Sequence, residues 1–401
     1  MPNSEYFINL ENEFGAHNYH PLDVVLCKGE GVWVYDVEGN RYLDCLSAYS
    51  ALNQGHNHPK IKQAMIEQLD NLTLTSRAFR NDKLGLLYKY LSDMTGYEMS
   101  LPMNSGAEAV ETAIKVARKW GYVTKNIPRY KAEIIVADGN FHGRTTTIIS
   151  FTSTDLYKRD FGPFTPGFIN VKYGDLEAIK DAITENTAAI MLEPIQGESG
   201  IIIPPKGYLK AVEGLCHDNN ILFIADEIQT GLGRTGALFA CDHEDVRPDM
   251  IVIGKALSGG FYPVSAVLAD KFVLGLIQPG EHGSTFGGNP LGAAVAIAAL
   301  EVIQEENLIE KSKLMGQYIM DYLEEIPKKN IKDIRGKGLL IGVELKHELG
   351  GARRFAEKLR DQGILVKETH VHTIRLAPPL IIEKEVVDWM LPIVREILLM
   401  D

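Results

Sequence analysis

Four short apolar runs alternate with longer amphipathic stretches in the middle of the chain, and this rhythm restricts the fold more than any other feature. Continuous apolar strands separated by helices are typical of a mostly parallel sheet that is covered on both faces. We therefore predict an α/β fold with such a sheet at its centre. The predicted strands are AEIIVA, TAAIMLEP, ILFIAD and DMIVIGK, and the predicted helices are AEAVETAIKVARKWGY, LEAIKDAITE and LKAVEGLCHDN.

The two ends of the chain follow a different pattern. Residues 24–46 alternate apolar and polar side chains around Glu38-Gly39-Asn40, which predicts a β-meander. After Pro290 comes a helix rich in Ala and Gly, then a mixture of helices and strands. We predict a large domain over residues 51–300 and a small α+β domain that residues 1–50 and 301–401 build together.

Composition narrows the class of function. The 41 basic and 53 acidic residues give a net charge of -12, which disfavours binding to nucleic acid or to an anionic membrane surface. The amino terminus lacks the basic start and apolar core of a signal peptide, and the four cysteines are far apart and form no metal or disulfide pattern. A cytoplasmic protein that acts on small molecules is the resulting expectation.

Two predicted strands end on reactive side chains. ILFIAD ends at Asp226, and MIVIGK ends at Lys255. Ligands in open α/β sheets bind outside the carboxyl ends of the strands, so these two side chains are candidates for a site. The alternative is a structural ion pair between a buried carboxylate and a buried amine.

Two glycine-containing segments supply candidate phosphate donors. Ser105-Gly106-Ala107 lies between a strand and a helix, where backbone N–H groups and the helix dipole favour an anion, although such a turn is also an ordinary helix cap. The loop from Glu281 to Pro290 is rich in small and hydroxylated residues, and a flexible surface loop is the alternative. With Asp226 and Lys255 they provide what pyridoxal phosphate needs: phosphate donors, a partner for the pyridinium nitrogen, and an amine.

Three long segments make a resemblance explicit. They resemble the class III, or subgroup II, pyridoxal-phosphate aminotransferases, and the similarity runs over nearly the whole chain. It implies fold type I, the aspartate-aminotransferase-like fold, and a homodimer with shared active sites. The segments are FIADEIQTGLGRTG, RPDMIVIGKALSGGFYPVSAV and EHGSTFGGNPLG.

The resemblance assigns roles around the cofactor. Lys255 is expected to bond the aldehyde covalently and to act as general base and acid, and Asp226 to pair with the pyridinium nitrogen. Gln229 is expected to hydrogen-bond the phenolic oxygen, and Phe141 to stack on the ring. The phosphate would be bound by residues of two segments, the second reaching the partner subunit's cofactor: Ser105, Gly106 and Ala107, then Ser284 and Thr285.

The resemblance also implies a substrate. Its closest members transfer the δ-amino group of ornithine to a 2-oxo acid such as 2-oxoglutarate, giving glutamate 5-semialdehyde and glutamate. Arg375 would bind the α-carboxylate of glutamate, with Glu198 masking it while ornithine reacts. Arg144 would bind the α-carboxylate of ornithine or the side-chain carboxylate of glutamate. Tyr19 would contact ornithine's α-amino group, and Tyr49 would line the pocket.

Several alternatives stay open at this stage. Acetylornithine, 4-aminobutyrate and other ω-amine aminotransferases share Lys255, Asp226 and Arg375. Residues 231–236 fit the GxGxxG pattern of a nicotinamide-dependent oxidoreductase, although Lys255 rather than an acid ends the next strand. His56 and His58 could be metal ligands but have no evident Cys or carboxylate partner, so we expect no metal.

One residue receives no assignment. His142 follows the predicted stacking residue at a position where members of the family vary. We therefore assign no role to its side chain.

Overall fold

The computed structural model describes residues 2–400, in which strands and helices alternate through the middle of the chain. The strands are, in chain order, β1 (Leu26–Glu30), β2 (Trp33–Asp36), β3 (Arg41–Asp44), β4 (Met99–Met103), β5 (Glu133–Ala137), β6 (Phe168–Val171), β7 (Thr187–Leu192), β8 (Leu222–Asp226), β9 (Met250–Ile253), β10 (Ser265–Ala269), β11 (Ile331–Lys337), β12 (Leu340–Leu345), β13 (Ile364–Leu365), β14 (Lys367–Thr369) and β15 (Thr373–Leu376).

The helical elements connect these strands and cover them. They are, in chain order, α1 (Ser4–Phe14), α2 (Ser47–Ser50), α3 (Pro59–Leu69), α4 (Leu84–Thr95), α5 (Gly106–Val123), α6 (Thr146–Ile149), α7 (Asp155–Lys158), α8 (Leu176–Ala182), α9 (Tyr208–Asp218), α10 (Lys271–Leu274), α11 (Pro290–Glu305), α12 (Leu308–Glu324), α13 (Arg353–Asp361) and α14 (Lys384–Leu399), with 3-10 helices at Ala240–Glu244, Lys255–Ser258 and His347–Leu349.

The central sheet has the strand order β4-β10-β9-β8-β7-β5-β6. The five strands from β9 to β6 are parallel to one another, whereas β10 is antiparallel to both of its neighbours. The predicted α/β class with a mostly parallel sheet is therefore confirmed. The strand β10 was not predicted because SAVLA carries small residues and little β-branched character.

Alternate side chains of the central strands enter two separate cores. In β5, Ile134 and Val136 pack with the apolar face of α5, whereas Ile135 and Ala137 belong to the larger cluster on the opposite face. Successive side chains of a strand point to opposite faces, so uninterrupted apolar runs are required when both faces are covered. This explains why the runs visible in the sequence lack polar alternation.

Two smaller sheets have the orders β1-β2-β3-β13 and β11-β12-β15-β14. The predicted meander corresponds to β1, β2 and β3, which pair antiparallel. β13 joins it in parallel, with Ile364 opposite Leu43, so both ends of the chain contribute to one sheet. The domain limits stay a prediction: the one near residue 300 falls inside α11, and the outer limits at 1 and 401 lie outside the described residues.

The turn α2 is left-handed. Ser47, Ala48, Tyr49 and Ser50 have φ values of 51°, 46°, 60° and 74°, although none of them is glycine. This conformation costs roughly 1–2 kcal/mol per residue for L-amino acids. Asp44 Oδ1 accepts hydrogen bonds from the backbone N–H groups of Leu46 and Ser47, and Ser47 Oγ donates to the carbonyl oxygen of Ala377. Tertiary contacts thus hold a turn that the local sequence does not favour.

Candidate active site

A cavity of about 200 Å³ lies at the carboxyl ends of β8 and β9. Parallel strands present their carboxyl ends at one edge of the sheet, so the side chains that follow them converge there. Asp226 is the last residue of β8, whereas Lys255 follows β9 after one glycine and opens a 3-10 helix with φ of 44°. The cavity is lined by Gly106, Ala107, Phe141, His142, Gly143, Glu193, Ile195, Asp226, Ile228, Gln229, Thr230 and Lys255.

A buried imidazole holds the carboxylate of Asp226. His142 Nδ1 lies 2.6 Å from Asp226 Oδ2, and their side chains are 0% and 4% exposed. Burial by itself would lower the pKa of His142, but the hydrogen bond and charge of Asp226 raise it above its usual value. The other oxygen of Asp226 accepts the backbone N–H of Ile228 at 3.1 Å. Sequence reasoning missed this contact of His142.

A second buried carboxylate, that of Glu193, lies near this pair. Burial raises the pKa of Glu193 to about 7, although the nearby His142 opposes the shift. Its oxygens accept the backbone N–H of Phe141 at 2.9 Å and that of Gly197 at 3.4 Å. Glu193 therefore binds a proton more readily than an ordinary carboxyl group.

The amine of Lys255 faces the same cavity. Burial lowers the pKa of Lys255, and the charge of Arg375 acts in the same direction, while Glu198 and Asp226 oppose the shift. A lowered pKa increases the neutral fraction of the amine at physiological pH. Neutral amines are nucleophiles and proton acceptors, which is the chemistry that a catalytic lysine requires.

The amino terminus of α5 forms one wall. Ser105 caps this helix: its Oγ accepts the N–H of Glu108, while Glu108 Oε2 accepts the N–H of Ser105. The backbone N–H groups of Gly106 and Ala107 in the first turn have no partner within the helix, so they can bind an anion. A side chain at 106 would bring its Cβ to 3.0 Å from Ile228 Cδ1, a tight contact that glycine avoids.

Ser284 and Thr285 do not line this cavity. Ser284 Oγ accepts a hydrogen bond from Asn104 at 2.9 Å, and Thr285 is exposed. Lys115 and Thr112 of α5 contact both ring nitrogens of His282 at 2.8 Å each, so the loop is tied to the same helix that bears Gly106.

Gln229 lines the cavity and forms a connected group with Glu198 and Arg375. Arg375 Nη2 donates to Glu198 Oε1 at 2.8 Å, and Gln229 Nε2 donates to the same oxygen at 3.2 Å. Burial alone would raise the pKa of Glu198, but the charges of Arg375 and Lys255 hold it below its usual value. Any side chain at Gly197 would place its Cβ 1.8 Å from Gln229 Oε1, so this approach requires glycine.

The pairing of Arg375 is incomplete. Its side chain is 2% exposed, yet Nε and Nη1 have no hydrogen-bond partner anywhere in residues 2–400. An unsatisfied buried donor costs about 1–3 kcal/mol. A planar guanidinium with free N–H groups is suited to a carboxylate that binds in a bidentate way. Tyr49, carried by the left-handed turn, lies with its ring centroid 5.6 Å from this guanidinium.

Arg144 presents a different environment. It is exposed, and it makes no hydrogen bond or ion pair with any other residue in the described part of the chain. Three aromatic rings surround its guanidinium instead, with centroids at 4.7 Å for Tyr157, 5.5 Å for Phe141 and 5.9 Å for Tyr19. The structure therefore brings Tyr19, Phe141 and Arg144 together as the sequence suggested, and it adds Tyr157.

The rival motifs have structural roles. Arg234 of the GxGxxG segment is fully buried and donates to Asn53 Oδ1 at 2.6 Å and to the carbonyl oxygens of Leu339 and Pro378 at 2.9 and 2.6 Å. The segment forms turns and does not open a helix, as a dinucleotide site would require. His56 and His58 pair with Asp44 and Glu306.

The cavity fits pyridoxal phosphate. It offers an amine at Lys255, a carboxylate at Asp226 that a histidine fixes in place, and free N–H groups at the start of α5. Gln229 Oε1 is buried and has no hydrogen-bond partner within residues 2–400, so this atom is free to accept a hydrogen bond from a ligand. These are the groups that the cofactor's aldehyde, pyridinium nitrogen and phosphate require.

Comparisons with known proteins identify the chemistry independently. The family model described as aminotransferase class-III matches residues 14–398. An ornithine aminotransferase of Brevibacillus brevis is 59% identical over 99% of both chains.

Solved structures agree in fold. One is an ornithine aminotransferase of Toxoplasma gondii with partial occupancy of pyridoxal phosphate at its active site; it is 44% identical, covers 98% of this chain and 94% of its own, and has a TM-score of 0.96. Another is an acetylornithine aminotransferase of Elizabethkingia anophelis, 48% identical over the full length of both chains, with a TM-score of 0.90.

Proposed function

The chain belongs to the class-III aminotransferase family, and from this premise we propose that it transfers the δ-amino group of L-ornithine to a 2-oxo acid, preferably 2-oxoglutarate. The products are L-glutamate 5-semialdehyde and L-glutamate, formed in two alternating half-reactions. The observation that carries this proposal is the presence of two arginines beside the cavity that contains Lys255. Arg144 has no acidic partner within residues 2–400, whereas Arg375 is paired with Glu198. Two substrates that carry carboxylates at different distances from the reacting amine require two such sites.

Pyridoxal phosphate is the cofactor of this family, and the residues that would hold it follow from the cavity. Asp226 would pair with the pyridinium nitrogen, Gln229 with the phenolic oxygen, and Phe141 would cover one face of the ring. Gly106 and Ala107, with the Ser105 cap, would donate to the phosphate. When bound, the cofactor withdraws electrons from the carbon that carries the reacting amine, which makes a proton on that carbon removable.

Lys255 is the group that moves this proton. Its lowered pKa keeps part of the amine neutral, so Nζ can accept the proton from the amine-bearing carbon of the substrate. His142 holds Asp226 at 2.6 Å from its own ring, which fixes the carboxylate in one orientation. The Nδ1 atom of His142 keeps its proton, because burial of an unpaired Asp226 would be costly.

Substrate choice depends on the state of Glu198. While Glu198 accepts from Nη2 of Arg375, this donor is not free for a bidentate carboxylate, and the carboxylate of ornithine would meet Arg144. For glutamate to bind, its α-carboxylate must displace Glu198, and the free Nε and Nη1 of Arg375 favour that exchange. Tyr19, which is 64% exposed beside Arg144, is in position to contact the α-amino group of ornithine.

Acetylornithine is the second candidate substrate. The acetylornithine aminotransferase of Elizabethkingia anophelis matches the full length of the chain at 48% identity. That substrate differs from ornithine by acetylation of the α-amino group, so the space beside Tyr19 decides between them. The curated relatives at 59% identity, which are ornithine aminotransferases, favour ornithine.

A substrate panel tests the proposal. Purified holoenzyme is given ornithine, N-acetylornithine or 4-aminobutyrate with 2-oxoglutarate, and glutamate formation is measured. We expect kcat/KM for ornithine to exceed the other two by at least about tenfold, since a lost polar contact of this kind is worth about 1–3 kcal/mol. A preference for N-acetylornithine would replace the proposal with the second candidate.

We further propose that the enzyme is a cytoplasmic homodimer in which Ser284 and Thr285 reach the partner subunit's phosphate. Thr285 is exposed and lies outside its own cavity wall, which is compatible with a role across an interface. Cys45, Cys216 and Cys241 are buried free thiols, as in proteins of a reducing compartment. Sedimentation of the holoenzyme measures the oligomeric state, and a monomer with full activity would contradict the proposal.

A further inference from the structure

The ring nearest to the guanidinium of Arg144 belongs to Tyr157. Its centroid lies 4.7 Å from Arg144 Cζ, within the range of a cation–π contact. Tyr157 belongs to α7, a short helix in the same connection between β5 and β6 that carries Arg144, and it was not part of the predicted site. The contact therefore adds a residue to the carboxylate-binding side of the cavity.

We propose that Tyr157 is a positioning residue for Arg144, holding the guanidinium in the orientation in which it receives the carboxylate of the amino donor. The role rests on the proposed function, because the donor is taken to be ornithine. Arg144 makes no hydrogen bond or ion pair within residues 2–400. A long exposed side chain without such a partner samples many rotamers, and aromatic contacts are what remains to restrict them.

The ring of Tyr157 is itself fixed. It meets Phe141 edge to face, with centroids 5.9 Å apart and planes at 74°. Its backbone N–H donates to Thr154 at 3.0 Å, and the neighbouring Lys158 donates to the carbonyl oxygen of Thr152 at 3.0 Å. The contact with Phe141 restricts the ring and the hydrogen bonds restrict the turn that carries it, so the ring of Tyr157 can act as a platform for Arg144.

An aromatic partner has an advantage over an acidic one at this position. A carboxylate that fixed Arg144 would compete with the substrate carboxylate for the same N–H groups, as Glu198 does at Arg375. A ring restricts the guanidinium through its face and leaves the N–H groups in the plane free to donate. Arg144 can therefore bind the substrate carboxylate without first breaking an ion pair with a carboxylate of the protein.

The hydroxyl of Tyr157 takes no part in the proposed role. It makes no hydrogen bond in the part of the chain that the structure describes. The ring alone should therefore suffice, which separates Tyr157→Phe from Tyr157→Leu. Tyr130 offers a matched control for the loss of an aromatic side chain, since it is 91% exposed on a distant loop.

The test is a double-mutant cycle on the holoenzyme, with ornithine varied at saturating 2-oxoglutarate. We expect Tyr157→Leu to raise KM for ornithine about three- to tenfold with kcat changed less than about twofold, as a cation–π contact of this kind predicts. Tyr157→Phe and Tyr130→Leu should stay within about twofold of the unmodified enzyme. In an Arg144→Met background, adding Tyr157→Leu should change KM by less than about twofold, because the partner of the ring is already absent.

Three results would overturn the proposal: an unchanged KM in Tyr157→Leu, an equal loss in Tyr157→Phe, or a further loss of the same size in the Arg144→Met background. The last would show a structural role, which the melting temperature of the variants would reveal as well. If the unmodified enzyme does not turn over ornithine, the proposed function fails. The same cycle with glutamate, whose side-chain carboxylate Arg144 would also take, still decides the role of Tyr157.

Discussion

The two arginines of the cavity carry the same charge in opposite surroundings. Arg375 lies in β15, is 2% exposed and is paired with Glu198 at 2.8 Å. Arg144 is exposed and contacts the rings of Tyr157, Phe141 and Tyr19. A buried cation requires a counter-charge because its desolvation is costly, whereas an exposed cation is solvated and does not.

Under the proposed function, this difference would let one cavity accept two carboxylate-bearing substrates in turn. A site closed by its own acid would open only to a ligand that replaces the acid, whereas a site lined by rings would stay open. The buried pair would then control access to Arg375, and exposure would leave Arg144 accessible. Substitutions on each side should separate these properties, and the following four are ordered from the largest expected effect to the smallest.

Arg375→Met should have the largest effect. The variant loses the charge-assisted contact with glutamate, so kcat/KM for glutamate should fall about hundredfold, while the ornithine half-reaction changes less than about threefold. It also leaves Glu198 without its partner, which should lower the free energy of unfolding by about 3 kcal/mol. Single-turnover absorbance changes with each amino donor measure the two half-reactions, and urea unfolding measures the stability.

The double variant Arg375→Met with Glu198→Gln is the control for the first prediction. It removes the unpaired carboxylate, so most of the lost stability should return while turnover of glutamate remains low. Equal losses in both half-reactions of the single variant would contradict the division of labour between the arginines.

Arg144→Met should affect catalysis without affecting the fold. We expect KM for ornithine to rise about tenfold or more, because a hydrogen bond to a charged group is worth about 1.5–3 kcal/mol. The free energy of unfolding should change by less than about 0.5 kcal/mol, as is usual for exposed positions. Steady-state kinetics and urea unfolding test both parts. If Arg144→Met lowered the free energy of unfolding as much as Arg375→Met does, the proposed difference between the two arginines would be contradicted.

The pairing of Glu198 with Arg375 should make the stability of the fold depend on pH. The pKa of Glu198 lies below its usual value of 4.5 in the folded chain, so its charged form stabilises the fold above this pH, and the contribution is lost as the pH falls. The melting temperature of the unmodified chain should therefore exceed that of Glu198→Gln at pH 7, and the gap should narrow towards pH 4. A gap that stays constant with pH would mean that the charge of Glu198 is irrelevant to stability.

Ala48→Gly should have the smallest effect and the opposite sign. Ala48 has a left-handed backbone and an exposed side chain, so glycine relieves strain and removes little packing, and we expect a gain of about 0.5–1 kcal/mol. Ala51→Gly is the matched control, because its φ of -82° is right-handed, and this change should destabilise by about 1 kcal/mol. Chemical unfolding compares the two, and a loss of stability in both would contradict the assigned strain.

The sequence predicted the parts of the site that lie at the ends of regular elements. Asp226 and Lys255 follow long apolar runs, and Gly106 opens a helix with a clear capping box, so local patterns place them at one sheet edge. His142 and Tyr157 were missed, because a histidine in a loop or a tyrosine in a helix of one turn has no periodicity that indicates its neighbour. Their roles depend on contacts with Asp226 and Arg144 that only the folded chain brings together.

The left-handed turn α2 could not be predicted from the sequence either. The segment SAYSA contains none of the glycine or asparagine residues that usually mark such a backbone. It exists because Asp44 and Ala377 bind it from outside, and Asp44 in turn contacts His56. Local propensity gives no information where distant residues determine the conformation.

These distant contacts also set an order of events during protein synthesis. Ser47 and Ala377, which hydrogen-bond, are 330 positions apart, and the N–H of Ala377 and that of Leu380 donate to the carbonyl oxygens of Cys45 and Asn53. The amino-terminal side of the cavity consequently cannot make these contacts until Ala377 and Leu380 have been synthesised and have left the ribosome. A translation product that ends before Arg375 would keep Lys255 and Asp226 but would lack the arginine proposed to discriminate between the two substrates.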